Sequence, residues 1–179
     1  MNADHSNSPI HRYFAGLAEN TFQTGLGIVD PLLIDYVTDL LIRFTRLDGV
    51  HKVRGVTGRP LMSVAEMAAE ATARLGTAKR ELHRHIGDFT LFWAGVYPEA
   101  LRKRAKDPEH QFESYCSFGK QSYLIASTIV TDQEDAPPST VLERLSTSFE
   151  LCAYGLREVR REWESGDDEN FGPSGILLN

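Results

Sequence analysis

The fold is decided by the segment Leu82-His-Arg-His-Ile-Gly-Asp-Phe-Thr-Leu-Phe-Trp-Ala-Gly-Val96. At about 100° of rotation per residue, its bulky apolar side chains fall on one stripe of a helix. That stripe comprises Leu82, Ile86, Phe89, Trp93 and Val96. Leu91 and Phe92 carry the apolar surface well beyond a single face, which indicates a helix enclosed on most sides. The sequence therefore predicts a central helix here.

Helix-start signals predict further helices on both sides of this segment. Proline stands at the first helical position after Ser8, Asp30, Tyr97 and Asp107, where its missing N–H costs nothing. Ser63 to Glu66 and Thr140 to Glu143 have the spacing of capping boxes. These signals predict helices over residues 9–24, 31–48, 64–75, 78–94, 98–106, 108–131 and 141–165.

The long helices carry apolar seams that fit one another. In the last one, Leu145, Phe149, Cys152, Leu156 and Val159 recur at intervals of three and four residues. The pattern predicts an all-α fold, a compact and mostly antiparallel bundle of six or seven helices with four long ones forming the core. A single domain is expected over residues 1–179, with a mobile N-terminus (1–7) and a mobile C-terminal tail (166–179).

Composition favours a soluble, folded chain. The 179 residues carry a net charge of -6, and 41% of them are hydrophobic, which is too many for a disordered chain. No apolar run is long enough for a membrane span, and the N-terminus lacks the apolar core of a signal peptide. The two cysteines, Cys116 and Cys152, form neither a disulfide framework nor a zinc motif. We expect a cytoplasmic protein with buried thiols.

One candidate ligand site centres on the predicted central helix. His83 and His85 diverge by about 200° on a helix, so they cannot hold one metal ion together. Asp88 lies three residues after His85 and can orient its ring toward a ligand, although a satisfied core histidine explains the same pattern. Asp88 also stands four residues after Arg84, the spacing of a surface ion pair. A pocket between central helices for a small molecule, metal or haem would use His85, Asp88, Tyr115, Cys116 and Tyr123.

The sequence does not identify a cofactor, and it predicts no metal site. A di-iron or di-manganese centre in a bundle requires Glu-x-x-His turns, and none precedes His83, His85 or His110. Phosphate-loop, nucleophile-elbow and His-Glu-x-x-His motifs are also missing from the sequence. The sequence therefore favours a role other than catalysis.

Charge is unevenly distributed along the chain. Residues 43–106 contain 13 basic and 6 acidic side chains, whereas residues 107–179 contain 5 and 14. The basic segment is a candidate for binding anions or nucleic acid, although pairing with the acidic last helix, in the same molecule or in a second copy, is the favoured explanation. The candidate anion-binding residues are Lys52, Arg54, Arg59, Arg102 and Arg104.

Aromatic residues suggest self-association. A small bundle has difficulty enclosing Tyr13, Phe14, Phe22, Trp93 and Tyr97, so we expect some of them at a helix-on-helix interface between two copies. The leading interpretation is a homo-oligomeric interaction or regulatory protein. A small-molecule or cofactor binder, and an anion or nucleic-acid binder, are the alternatives.

Overall fold

Eight α-helices make up most of the chain that the computed structural model describes, namely residues 8–45, 63–104 and 107–166. They are α1 (Pro9–Glu19), α2 (Pro31–Thr45), α3 (Val64–Thr72), α4 (Gly76–Gly95), α5 (Pro98–Arg104), α6 (Pro108–Thr128), α7 (Ser139–Thr147) and α8 (Phe149–Gly166). No β-strand occurs within those ranges. The predicted all-α bundle is confirmed, with more helices than expected. The mobility predicted for 1–7 and for the tail lies outside the described residues, except at Gly166, where α8 ends.

Most of the predicted helix starts are formed by the side chains expected to form them. The Ser8 hydroxyl accepts a hydrogen bond from the backbone N–H of His11 at 3.2 Å, and Asp107 caps α6 in the same way. Ser63 and Glu66 form both bonds of a capping box. The second predicted box, at Thr140, is wrong. Because α7 begins one residue earlier, at Ser139, Thr140 lies inside the helix.

Helix α4 is the centre of the bundle, as its sequence predicts. Leu82, Ile86 and Phe89 are at most 5% exposed, and α4 packs most extensively against α6, with α8 and α3 also in contact. Glycine permits this close packing, since a Cβ on Gly87 would lie 2.7 Å from the ring of Tyr123. The apolar surface around α4 is therefore covered by neighbouring helices of the same chain.

The single helix predicted over residues 141–165 is wrong, because Ser148 separates α7 from α8. Ser148 has φ of -112° and ψ of 24°, which is outside the helical region, and its N–H donates to the carbonyl of Arg144 at 2.8 Å. The break allows the Phe149 ring to lie directly against Gly119 of α6, where a Cβ would approach the ring to 2.3 Å. In a continuous helix through Ser148, the direction of the Phe149 side chain would instead be set by the turn that precedes it.

The helix predicted over residues 9–24 also changes character part-way. After Glu19 the chain forms a π-helical turn, Asn20–Gly25, in which the N–H of Leu26 donates to the carbonyl of Thr21 at 3.0 Å. The turn buries Phe22 against Gly155 of α8, where a Cβ would lie 2.5 Å from the Phe22 ring. The wider turn and the glycine together bring these two segments into contact.

The bundle encloses more aromatic surface than the sequence suggests. Phe14 and Phe22 are fully buried within a single copy, and Trp93 and Tyr97 pack against the core. Tyr13 is the member of the predicted set that stays exposed, at 44%. The aromatic argument for self-association therefore fails for Phe14 and Phe22. In the same described ranges, no helix has the length and apolar character needed to cross a membrane.

Candidate functional site

A buried carboxylate, Asp88, lies in the middle of α4 and joins three helices. Its Oδ1 accepts hydrogen bonds from the hydroxyls of Tyr36 on α2 (2.6 Å) and Tyr123 on α6 (2.8 Å). Its Oδ2 accepts hydrogen bonds from the Nη1 atoms of Arg43 on α2 (3.0 Å) and Arg84 on α4 (3.4 Å). Asp88 has no exposed surface. We call these five side chains the Asp88 network.

The electrostatics of the network keep Asp88 ionised. Burial alone raises the pKa of Asp88, but the charges of Arg43 and Arg84, together with the hydrogen bonds from Tyr36 and Tyr123, outweigh burial and hold that pKa below its usual value. Burial, followed by the negative charge of Asp88, raises the pKa of the Tyr36 and Tyr123 hydroxyls. At neutral pH the carboxylate is charged and both hydroxyls are protonated. This arrangement fits a structural role better than a general acid or base, which needs a pKa near the working pH.

The sequence identified part of this network. The Arg84–Asp88 pair was expected from its spacing as a surface ion pair, and the structure confirms the pair but buries its carboxylate. Tyr36 and Arg43 were missed because they approach from α2, 52 and 45 residues away in the chain. The available signal is that both are polar residues within the apolar segment of α2, seven residues apart and so on the same helix face.

His85 is packed into the core beside this network. It is 6% exposed, and its ring stacks on Phe44 with centroids 5.9 Å apart and planes 22° apart. The Asp88 oxygens expected to orient His85 are engaged by two phenols and two guanidinium groups. Of the predicted ligand-site residues, Asp88 and Tyr123 are therefore in contact with each other. The His85 ring packs against the rings of Phe44 and Phe89.

Tyr115 and Cys116 lie elsewhere. Tyr115 packs partly buried against the core, and Cys116 lines a separate surface groove with Lys120 and Glu150. Burial, followed by the charge of Glu150, raises the pKa of the Cys116 thiol to about 11, and Lys120 only partly offsets this. Lys120 itself donates to Glu150 at 2.8 Å. Cys116 is therefore a poor thiolate nucleophile.

A surface groove of about 290 Å³ opens beside the Asp88 network, between α2, α4, the start of α7 and the preceding loop. Arg43 and Arg84, with side chains 32% and 13% exposed, connect the buried carboxylate to this groove. Its polar lining consists of Asp35, Tyr36, Asp39, Arg43, Arg84 and Asp135. We call it the Arg43 groove.

The basic segment does not form one exposed face in the described part of the chain. Arg80, on α4, is 1% exposed and donates through Nη2 to the carbonyl of Pro137 at 2.6 Å. Arg102 is exposed on α5, whereas the Arg104 side chain lies outside the described part. Lys52, Arg54 and Arg59 also lie outside the described residues.

No group of three or more histidine, cysteine, aspartate or glutamate side chains with metal-binding geometry occurs in the ranges that the structure describes. Comparison with known proteins adds no constraint on function, because no protein-family model, curated protein or solved structure matches the chain. The functional interpretation therefore rests on the geometry of the molecule itself.

Proposed function

We propose that this protein is a helical interaction module that self-associates as a homodimer and acts through helix surfaces rather than catalysis. The supporting observation is the outer face of α8, which presents Leu151 and Tyr154 to solvent with exposures of 42% and 48%. These residues stand one helical turn apart, so their side chains are neighbours. The buried ionisable groups of the Asp88 network, by contrast, are engaged with one another.

The charges around this pair are of both signs. Glu158 and Arg161, on the next turns of α8, form an ion pair with an N–O distance of 3.1 Å. We call Leu151, Tyr154, Glu158 and Arg161 the α8 outer face. Its opposite side is anchored in the core by buried residues such as Cys152 and Leu156. The face is thus held by a well-packed helix and does not need to reorganise when it binds.

A second copy of the chain is the occupant that this composition favours. In a two-fold dimer the same surface patch meets itself, so an apolar pair stacks on its counterpart. Arg161 of one copy can then approach Glu158 of the other copy and form an ion pair. A face whose charges all had the same sign would repel its counterpart instead. The proposal includes a cytoplasmic location, supported by the two free and buried thiols of Cys116 and Cys152.

Sedimentation equilibrium of the full chain tests the proposal. We expect a dimer at about 100 µM, consistent with a micromolar Kd, and a monomer for the double variant Leu151→Glu, Tyr154→Glu with an unchanged circular dichroism spectrum. Val130→Glu is the matched control, because Val130 is 85% exposed in the loop after α6 and outside this face. A monomeric native chain contradicts self-association, and a double variant that still dimerises contradicts the assignment to α8.

A further inference from the structure

The Arg43 groove contains a cation that is held in place by the protein. Asp88 fixes Nη1 of Arg43 at 3.0 Å, the carbonyl of Asp39 accepts from Nε at 3.3 Å, and the guanidinium lies 5.7 Å above the Tyr36 ring. Within the described residues, the Nη2 amino group of Arg43 makes no hydrogen bond. Because Arg43 lines the groove, its Nη2 amino group is a preorganised, positively charged donor for an oxygen of a ligand carboxylate.

Negative charge lines the same groove. Asp35 and Asp39 lie one turn apart on α2, and Asp135 comes from the loop before α7. All three are exposed. Asp39 Oδ1 lies 3.4 Å from Nε2 of His11 on α1, and 62% of the Asp39 side chain remains accessible to solvent. A simple anion is repelled by these carboxylates, and a simple cation is repelled by the guanidinium groups of Arg43 and Arg84. A ligand with one positive and one negative group can pair with the carboxylates and with the guanidinium groups at the same time.

The spacing of these charges limits how far apart the charges of the ligand lie. Asp39 and Arg43 are four residues apart on one helix, so their Cβ atoms lie about 6 Å apart. An ammonium and a carboxylate group on the same carbon atom can contact both side chains at once. The remaining lining is apolar, with Leu32, Pro137, Pro138 and Val141 around the polar set. The groove volume of about 290 Å³ fits a small molecule.

We propose that the Arg43 groove binds a small apolar α-amino acid as its zwitterion. The ligand carboxylate accepts hydrogen bonds from Arg43, and the ligand ammonium group pairs with Asp39, with Asp35 and Asp135 adding negative potential. The apolar side chain lies against Leu32 and Val141. This site is separate from the α8 outer face, so the double variant of that face retains ligand binding.

Isothermal titration of the full chain with three probes tests the site. L-leucine is expected to bind with a Kd of about 1 mM or tighter, whereas N-acetyl-leucine, which has lost the positive charge, and leucine amide, which has lost the negative one, each bind at least about fivefold more weakly. Equal binding of N-acetyl-leucine overturns the role of Asp35, Asp39 and Asp135. Equal binding of leucine amide overturns the role of Arg43, and absence of leucine binding overturns the proposal as a whole.

Two variants assign the charges to residues. Asp39→Asn is expected to weaken leucine binding about fivefold, the upper range for an exposed ion pair. Arg43→Lys keeps the charge but removes the planar guanidinium, and it is expected to weaken leucine binding to a similar extent. Because Arg43 also belongs to the Asp88 network, the thermal midpoint of this variant is expected to fall, and circular dichroism checks that it is folded at the temperature of the titration. Glu109→Gln, which removes an exposed carboxylate on α6, is the matched control and leaves binding unchanged. Native affinity in either groove variant contradicts the site.

Discussion

Replacing Asp88 by asparagine is the most direct perturbation of the interior, because it preserves shape and removes one charge. The amide oxygen still accepts from Tyr36 and Tyr123, which donate to Oδ1 at 2.6 and 2.8 Å. The amide nitrogen, however, then faces the donors of Arg43 and Arg84, which bind Oδ2 in the native protein. The substitution therefore converts two charge-assisted hydrogen bonds into donor-donor contacts.

The expected loss of stability is about 3 kcal/mol, the lower end of the range for breaking a buried ion pair. The lower end applies because both arginines keep other stabilisation. Arg84 retains two hydrogen bonds to Glu81, and Arg43, with a side chain that is 32% exposed, is partly solvated. Single domains have a total stability of only about 5–15 kcal/mol, so this is a large fraction of it.

Urea unfolding followed by circular dichroism measures this loss. With a slope of about 2 kcal/mol/M, the midpoint of Asp88→Asn is expected to fall by about 1.5 M without a change in slope. Asp39→Asn is the control, since Asp39 borders the same groove but has 62% of its side chain exposed, and its expected effect is below about 0.5 kcal/mol. A loss below about 1 kcal/mol for Asp88→Asn would refute the role assigned to the network.

Three further predictions address pH, packing and thiol reactivity. Because the pKa of Asp88 is lowered in the folded state, ionised Asp88 stabilises the fold at pH values above its unfolded pKa of about 3.9. This stabilisation disappears as the pH falls through the folded pKa. In urea titrations, the difference in free energy of unfolding between the native protein and Asp88→Asn is therefore expected to narrow on acidification. Gly119→Ala is expected to destabilise the protein by about 1–3 kcal/mol, because the new Cβ would lie 2.3 Å from the Phe149 ring. Gly16→Ala, whose Cβ would have nothing within 4 Å, is expected to increase the free energy of unfolding by up to about 1 kcal/mol. Thermal unfolding of the two variants measures both effects. Burial raises the pKa of the Cys152 thiol to about 12, so iodoacetamide at neutral pH should modify Cys152 only at the rate of unfolding, as peptide mass spectrometry over time shows.

The fold was predictable where local sequence signals agree with packing. The apolar surface of α4 is nearly continuous, and any fold that buries it needs several helices around it. Capping side chains such as Ser8 and Ser63 act within three residues of their partners, so their hydrogen bonds follow from the sequence alone. Local signals thus predicted the fold class and most of the helix starts.

The polar interior was predictable only in part. Arg84 and Asp88 are one turn apart on α4, and their pairing follows from that spacing. Tyr36 and Arg43 reach the same carboxylate through the packing of α2 on the core, and no local pattern encodes that approach. The break at Ser148 has the same cause, because Phe149 gains a position against Gly119 that only the folded bundle provides.

The Asp88 network depends on the absence of a side chain at Gly87. The ring of Tyr123 occupies the volume that a methyl group at position 87 would take, with ring carbons only 2.7 Å from that point, and this same ring carries the hydroxyl that donates to Asp88. Adding one carbon to α4 therefore displaces a phenol on α6 and removes a hydrogen bond from a carboxylate one residue further along. The close packing of α4 on α6 and the hydrogen bonding of the buried Asp88 carboxylate therefore depend on the same tyrosine ring.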